Sequence, residues 1–253
     1  MPDASRAMDG DIVVINLDRS VDRLRQFRWN NRHVPNLQRF AAADGRTLDR
    51  DRCIRDGLIT AANPYTMPAL GCSLSHVALW RRCAAGDGPL TICEDDAIMH
   101  RHFLAGRSRI LSSLRPDWDI VQWGWNLDWP MLIELAPGMP PAVVKFPDVG
   151  LRPDFAAFGS SILRPQAFAL RSSAGAACYT LSVPGARRML ERCLPLGGEH
   201  AAWAENAARD WDNTAVDVEM ARHYPTLCAY VAVPPLAISP NEHAQSTIWS
   251  GAA

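Results

Sequence analysis

The chain has 253 residues, with 48% hydrophobic and 21% charged positions, which describes a globular protein with a sizeable core and no need for a second domain. Its formal net charge of −1 excludes a dedicated nucleic-acid binder, because neutralising a phosphate backbone requires a basic surplus. Seven cysteines without close pairing exclude a zinc ribbon and suggest no disulfide framework. They read instead as small hydrophobes in a reducing, cytoplasmic setting. The first nine residues lack the apolar core of a signal peptide, and no segment approaches membrane-spanning length. The expected organisation is one domain over residues 11–240, with a disordered N-terminal tail (1–10) and a C-terminal tail (241–253).

Asp11 to Leu17 is a continuous β-branched run, as a buried parallel strand requires. Val21, Leu24 and Phe27 then recur at helical spacing, with Arg23, Arg25 and Arg28 off the apolar stripe. Leu37 to Ala43 predicts a second strand, stopped by Asp44-Gly45, and a short helical stretch runs to about Arg55. A Pro- and Gly-containing loop is expected up to Gly71, with Ser73 capping a helix to about Ala85. Pro89 to Cys93 is a further strand. Beyond it, His102 to Leu114 reads as helix and Trp118 to Trp123 as strand. Leu127 to Arg164 is proline-rich and aperiodic, so it reads as insertions or substrate loops. Ala177 to Leu181 predicts a strand, Pro184 opens a helix, Trp211 to Tyr224 is helical around Asp217, and Leu227 to Val233 is the last strand. The alternation is that of an α/β protein.

The triplet Glu94-Asp95-Asp96 ends the third of these strands. Carboxylates crowded at a strand's C-terminal end stand where open α/β sheets bind ligands. Their mutual repulsion favours a hard divalent cation, Mn²⁺ or Mg²⁺, which can bridge to a substrate diphosphate. The alternative is that they cap a helix beginning near Ile98, where acids meet the positive end of the helix dipole.

Several segments, in this order, resemble glycosyltransferase family 25, the lipooligosaccharide and collagen-type galactosyltransferases. They are Val14 to Arg19 with Arg23, Ala42-Ala43-Asp44-Gly45, Gly71-Cys72-Ser73-Leu74-Ser75-His76, Cys93-Glu94-Asp95-Asp96, Asp119-Ile120-Val121, Ala177 to Ser182 with Gly185-Ala186-Arg187, and Val216-Asp217. The resemblance implies a GT-A type, Rossmann-like fold in a single domain with a mixed sheet. It further implies a metal-dependent inverting transfer of a hexose, galactose first among them, from a UDP-sugar. The Leu127–Arg164 region matches none of these segments, and the acceptor stays open among glycan, lipid-linked sugar, protein and small molecule. Lipopolysaccharide biosynthesis and peripheral membrane contact are compatible with that range.

On this reading Asp96 is the first metal ligand, Glu94 reaches metal or ribose, and Asp95 coordinates or orients its neighbours. Arg19 and Arg23 are candidates for the diphosphate, since a guanidinium fork matches phosphate oxygens, with surface arginines as the competing view. Asn16, Asp18, Asp44 and Gly45 end strands on the same expected edge and frame the nucleotide, although Asp44-Gly45 also reads as a plain turn. Inverting transfer needs a base at the acceptor hydroxyl. Asp217 is the candidate, with Asp212 its rival on the same expected helix. His76 divides evenly between a catalytic and a structural role, and His243 is a third metal-ligand candidate against a solvated tail histidine. Trp125 and Trp129 are candidate acceptor platforms. Two other classes stay open: a catalytically silent binding module on the same fold, and a metal-dependent phosphohydrolase or nucleotidyltransferase.

Overall fold

A computed structural model describes residues 10–146 and 153–240. A nine-stranded mixed sheet forms the centre, in the order β2-β1-β3-β9-β5-β12-β8-β6-β7. These strands are β1 (Asp11–Asn16), β2 (Gln38–Ala41), β3 (Leu90–Glu94), β5 (Ile120–Gly124), β6 (Met131–Glu134), β7 (Ala142–Val144), β8 (Gln166–Ser172), β9 (Cys178–Leu181) and β12 (Ala229–Val233). Two small sheets complete the strands: β4 (Ile98–Met99) with β13 (Ala237–Ile238), and the hairpin β10 (Ala201–Trp203) with β11 (Asn206–Trp211). The helices are α1 (Val21–Asn30), α2 (Arg50–Arg55), α3 (Met67–Ala84), α4 (Phe103–Ser113), α5 (Phe155–Ser160), α6 (Val183–Cys193) and α7 (Val216–His223).

The period of two along the central strands sends side chains into two cores, one on each face of the sheet. Val13, Ile15, Ile92, Ile120 and Tyr179 face a core filled by Leu70, Val77 and Trp80 of α3 and by residues of α6 and α7. Ile12, Val14, Cys93, Val121 and Cys178 face the other, filled by Phe27 of α1 and by Phe103 and Ile110 of α4. Burial on both faces explains the continuous apolar runs of β1 and β3. The result is the expected α/β, Rossmann-like architecture. All seven cysteines are free. Among the described residues no helix is long and apolar enough to cross a membrane.

β1 runs parallel to both β2 and β3, while β9 runs antiparallel to β3 and β5. The C-terminal ends of β1, β2, β3 and β5 therefore share one edge of the sheet with the start of β9.

Four local expectations need correction. The helix α3 begins at Met67, not near Ser73. Thr66 accepts a hydrogen bond from the Ala69 N–H at 3.3 Å, and Pro68 sits in the first turn, where its missing N–H costs nothing. Ser73 lies inside the helix and donates back to the Ala69 carbonyl at 2.7 Å. No helix begins near Ile98, because that residue belongs to β4 and pairs with Ile238, so the triplet does not cap a helix. The expected helix from Trp211 is shorter: Trp211 ends β11, and α7 starts at Val216. Finally, the described parts of Leu127–Arg164 hold β6, β7 and α5, and β6 and β7 extend the far edge of the sheet.

Candidate functional site

At the shared edge the end of β1 is tied to the triplet. The Asn16 side-chain amide donates to Asp95 Oδ2 at 2.7 Å, and Arg23 Nε, from the first turn of α1, donates to Asp95 Oδ1 at 2.8 Å. Burial opposes the Arg23 charge, but Asp95, Asp96 and Glu94 outweigh it and raise its proton affinity. Arg39 in turn bonds Asn16 Oδ1 at 3.1 Å and pairs with the exposed Asp18. The triplet's charge is thus partly neutralised by an arginine, and Asp95 is occupied by orienting contacts from Asn16 and Arg23. Arg19 pairs with Asp44. Asp44 caps a short 3-10 turn, Gly45–Thr47, and the Arg46 N–H it accepts, followed by Arg19, lowers its proton affinity.

The loop carrying Asp44 and Gly45 lies against α3. The Ala43 N–H donates to Ser75 Oγ at 2.9 Å. A Cβ on Gly71 would stand 2.6 Å from the Ala43 carbonyl oxygen, so only glycine permits this contact.

Asp96 differs from Asp95. Its side chain is about one-third open, at 36%, and Oδ2 stands 3.8 Å from Arg23, yet Oδ1 is sealed and has no hydrogen-bond partner. Burial, and then the charge of Glu94, push its pKa from 3.8 up to about 7. A carboxylate oxygen held without a donor beside two further acids suits a cation.

Glu94 turns the other way, toward α3. Its Oε1 stands 3.6 Å from Nε2 of the fully buried His76, whose Nδ1 meets the Tyr179 hydroxyl at 2.8 Å. His76 Nε2 has no hydrogen-bond partner. His76 has no surface open to an acceptor, so it faces the triplet from below rather than from the substrate side.

Asp217, in the first turn of α7, is brought to the same edge. Its Oδ2 accepts the Gly175 N–H at 2.8 Å, just ahead of β9. Gly175 has φ +83°, and a Cβ there would meet the Asn126 backbone nitrogen at 2.7 Å, so a side chain is excluded. Burial raises the Asp217 proton affinity, the Gly175 N–H offsets part of this, and Glu94 adds to it. Asp212 is not on this helix. It lies exposed between β11 and α7, 3.2 Å from His200. His243 lies outside the described residues. The register of β13 on β4 leads the chain at Ser239 toward Ala97, next to the triplet.

The family model for "Glycosyltransferase family 25 (LPS biosynthesis protein)" matches residues 10–199, an interval containing the β1–β3 edge, the triplet and α3. The chain belongs to glycosyltransferase family 25. A "Glycosyltransferase 25 family member" of Aedes aegypti is 32% identical over 126 residues, covering 45% of this chain and 21% of that protein. One of Drosophila pseudoobscura pseudoobscura is 32% identical over 136 residues, covering 49% and 22%. The matched part thus spans about a fifth of these curated relatives.

In this family 25 chain the tryptophans divide differently from expectation. Trp125 is buried at 2% exposure and packs in the core, which removes it as an acceptor platform. Trp129 is half-buried, stacked on Trp211 at 5.1 Å and edge-on to Trp203, with Arg209 over the Trp203 ring. The loop bearing Trp129 starts at Asn126, whose N–H bonds the Ala174 carbonyl beside Gly175, so the indoles lie on the Asp217 side of the site. The hairpin contributing Trp203 and Trp211 was not foreseen, because its strands carry no alternating apolar pattern. Equally unforeseen is the anchor of α7. Tyr65 donates to Asn213 at 2.6 Å, Asn213 donates to the buried Glu219, and Glu219 accepts from Arg222 at 2.6 Å and His223 at 3.1 Å. Arg222 and His223 stand three and four residues after Glu219, the spacing of helix neighbours, so that part of the anchor carried a local signal, whereas Tyr65 reaches Asn213 from far along the chain.

Proposed function

We propose that this protein is a metal-dependent inverting glycosyltransferase with GT-A type donor binding. It moves a hexose, galactose first, from a UDP-sugar to a hydroxyl of a glycan, protein or small-molecule acceptor. The observation that carries the reading is the meeting of Glu94, Asp96 and Asp217 at one strand-end edge in a family 25 chain, with Asp96 and Asp217 both raised in proton affinity. Free cysteines support a reducing, cytoplasmic setting, and membership of a family described by LPS biosynthesis supports lipopolysaccharide-type assembly.

The residues present fit a divalent ion, because Asp96 offers a buried oxygen without a donor. Asp96 and Glu94 would hold it, and when bound it would neutralise the departing diphosphate. Asp95, clamped by Asn16 and Arg23, keeps the triplet in place. Arg19 can turn from Asp44 to phosphate oxygens, and Arg23, held at Asp95, adds positive charge beside them. Asn16, Asp18 and the Asp44-Gly45 turn frame the nucleoside end.

Asp217 acts as general base. Its raised proton affinity suits removal of the acceptor's proton as the hydroxyl oxygen attacks the anomeric carbon and the bond to the diphosphate breaks. The half-buried Trp129, Trp203 and Trp211 beside it offer faces to an acceptor sugar. His76 is sealed from that side and takes no part as base.

Mass spectrometry after incubation with a panel of nucleotide-sugars tests this reading. Asp217→Asn should keep UDP-sugar affinity near wild type while turnover falls by roughly two to four orders of magnitude, the usual worth of a general base. Asp212→Asn should stay active. Loss of turnover in the Asp212 variant with Asp217→Asn active would overturn the assignment.

A further inference from the structure

Cys72 and His76 stand one turn apart on α3, and that spacing places both side chains on one face of the helix. Glu94 reaches toward the same face from the end of β3. The Cys72 sulfur, a His76 ring nitrogen and a Glu94 oxygen all lie within 4.8 Å of one another. Cys72 is partly open to solvent, which leaves a way in, whereas His76 is fully buried.

His76 Nε2 carries the argument. It is buried with no hydrogen-bond partner, and its separation from Glu94 Oε1, 3.6 Å, is too long for a good hydrogen bond. Two ligands about 2.1 Å from a shared tetrahedral ion stand about 3.4 Å apart, close to what is found. The other ring nitrogen meets Tyr179 Oη at 2.8 Å, and Trp80 Nε1 donates to the same oxygen at 2.8 Å. The Tyr179 hydroxyl can both donate and accept, so its role toward Nδ1 follows the imidazole tautomer. In one tautomer the Tyr179 hydroxyl donates to Nδ1 and Nε2–H faces Glu94, whereas when His76 ligates an ion through Nε2, Nδ1 carries the proton and donates to Tyr179 Oη. Such an outer hydrogen bond is what fixes a ligating imidazole in position.

We propose that Cys72, His76 and Glu94 form a site for a borderline-soft divalent cation of the Zn²⁺ class, separate from the Asp96 side of the triplet. A thiolate and an imidazole select such ions over Mg²⁺ or Ca²⁺, which take oxygen ligands. Three protein ligands leave a fourth position for water or a substrate atom. An ion held here draws on Glu94, so it competes with any hard ion that Glu94 and Asp96 hold together. The proposal does not depend on the transfer reaction. A second constellation, Cys193, Glu219 and His223, has comparable spacing but no such vacancy, since Asn213, Arg222 and His223 already occupy both Glu219 oxygens.

The test is titration of the chelator-stripped full chain with Co²⁺, read by absorption. The expected result is a near-ultraviolet thiolate-to-cobalt charge-transfer band saturating at one equivalent and displaced by Zn²⁺. Cys72→Ser should abolish the band with an unchanged circular dichroism spectrum, His76→Gln should weaken Co²⁺ affinity at least tenfold, and Asp96→Asn should keep the band. No band, or a band that survives in Cys72→Ser, would overturn the site. Alkylation of the unaltered chain gives a second reading that needs no variant. Equimolar Zn²⁺ should slow modification of the Cys72 peptide at least tenfold relative to the Cys228 peptide, and an unchanged ratio would also overturn it.

Discussion

Asp96 and Asp95 are neighbours with opposite circumstances, and the difference comes from which partners the fold supplies. Asp95 receives Asn16 and Arg23, whereas Asp96 keeps a sealed oxygen with no donor and a pKa pushed up to about 7 by burial and by Glu94. The sequence shows three adjacent acids, but it cannot show that one is already satisfied from across the sheet, because Asn16 and Arg23 are remote in the chain. A raised carboxylate pKa has a definite linkage sign. The folded chain holds a proton that the unfolded chain releases above pH 3.8, so without metal this group's effect on stability worsens as pH rises from about 4 to about 7. Asp96→Asn removes that burden. In EDTA its stability relative to wild type should grow between pH 5 and pH 8, as measured by urea unfolding. A difference that stays flat over this interval would mean that Asp96 titrates normally.

At the scale of elements, the strands were legible where burial on both faces leaves continuous apolar runs, as in β1 and β3. The start of α3 was not. Pro68 and Gly71 read as breakers, yet Pro68 occupies a first-turn position and Gly71 is required where Ala43–Gly45 presses on the helix. The β4–β13 pair escaped because its two-residue strands join distant parts of the chain, Ile98–Met99 with Ala237–Ile238. Asp217 was singled out as a candidate through its family-like dipeptide, but the turn at Gly175 that bonds it was not. Gly175→Ala tests that turn. Forcing a Cβ into a positive-φ position against the Asn126 backbone should cost about 1–3 kcal/mol of stability by chemical denaturation. Turnover should fall further than stability explains, since the N–H leaves Asp217. Unchanged stability and turnover would show that Asp217 is held by other means.

For the molecule as a whole, the parallel β2-β1-β3 unit, the antiparallel start of β9 and the C-terminal end of β5 deliver the ends of several elements to one edge. Both sheet faces are closed by helices, so that edge is the place where polar side chains can gather without burying unpaired charge. The architecture was legible from the alternation of elements, and the triplet's place at a strand end, where the candidate site is proposed, from the acids that stop β3. The aromatic hairpin was not, because its short strands carry no alternating apolar pattern, and of the Glu219 anchor only the helix-spaced Arg222 and His223 were readable, not the long-range bond of Tyr65 to Asn213. The central claim is that this edge binds a nucleoside diphosphate through a divalent ion held at Asp96. Calorimetry of UDP binding to the wild-type chain and to Asp96→Asn, each in Mn²⁺ and in EDTA, tests it most directly. Wild type should bind at least tenfold more tightly in Mn²⁺ than in EDTA, and Asp96→Asn should lose that difference. Equal affinity for wild type in the two conditions would contradict the account.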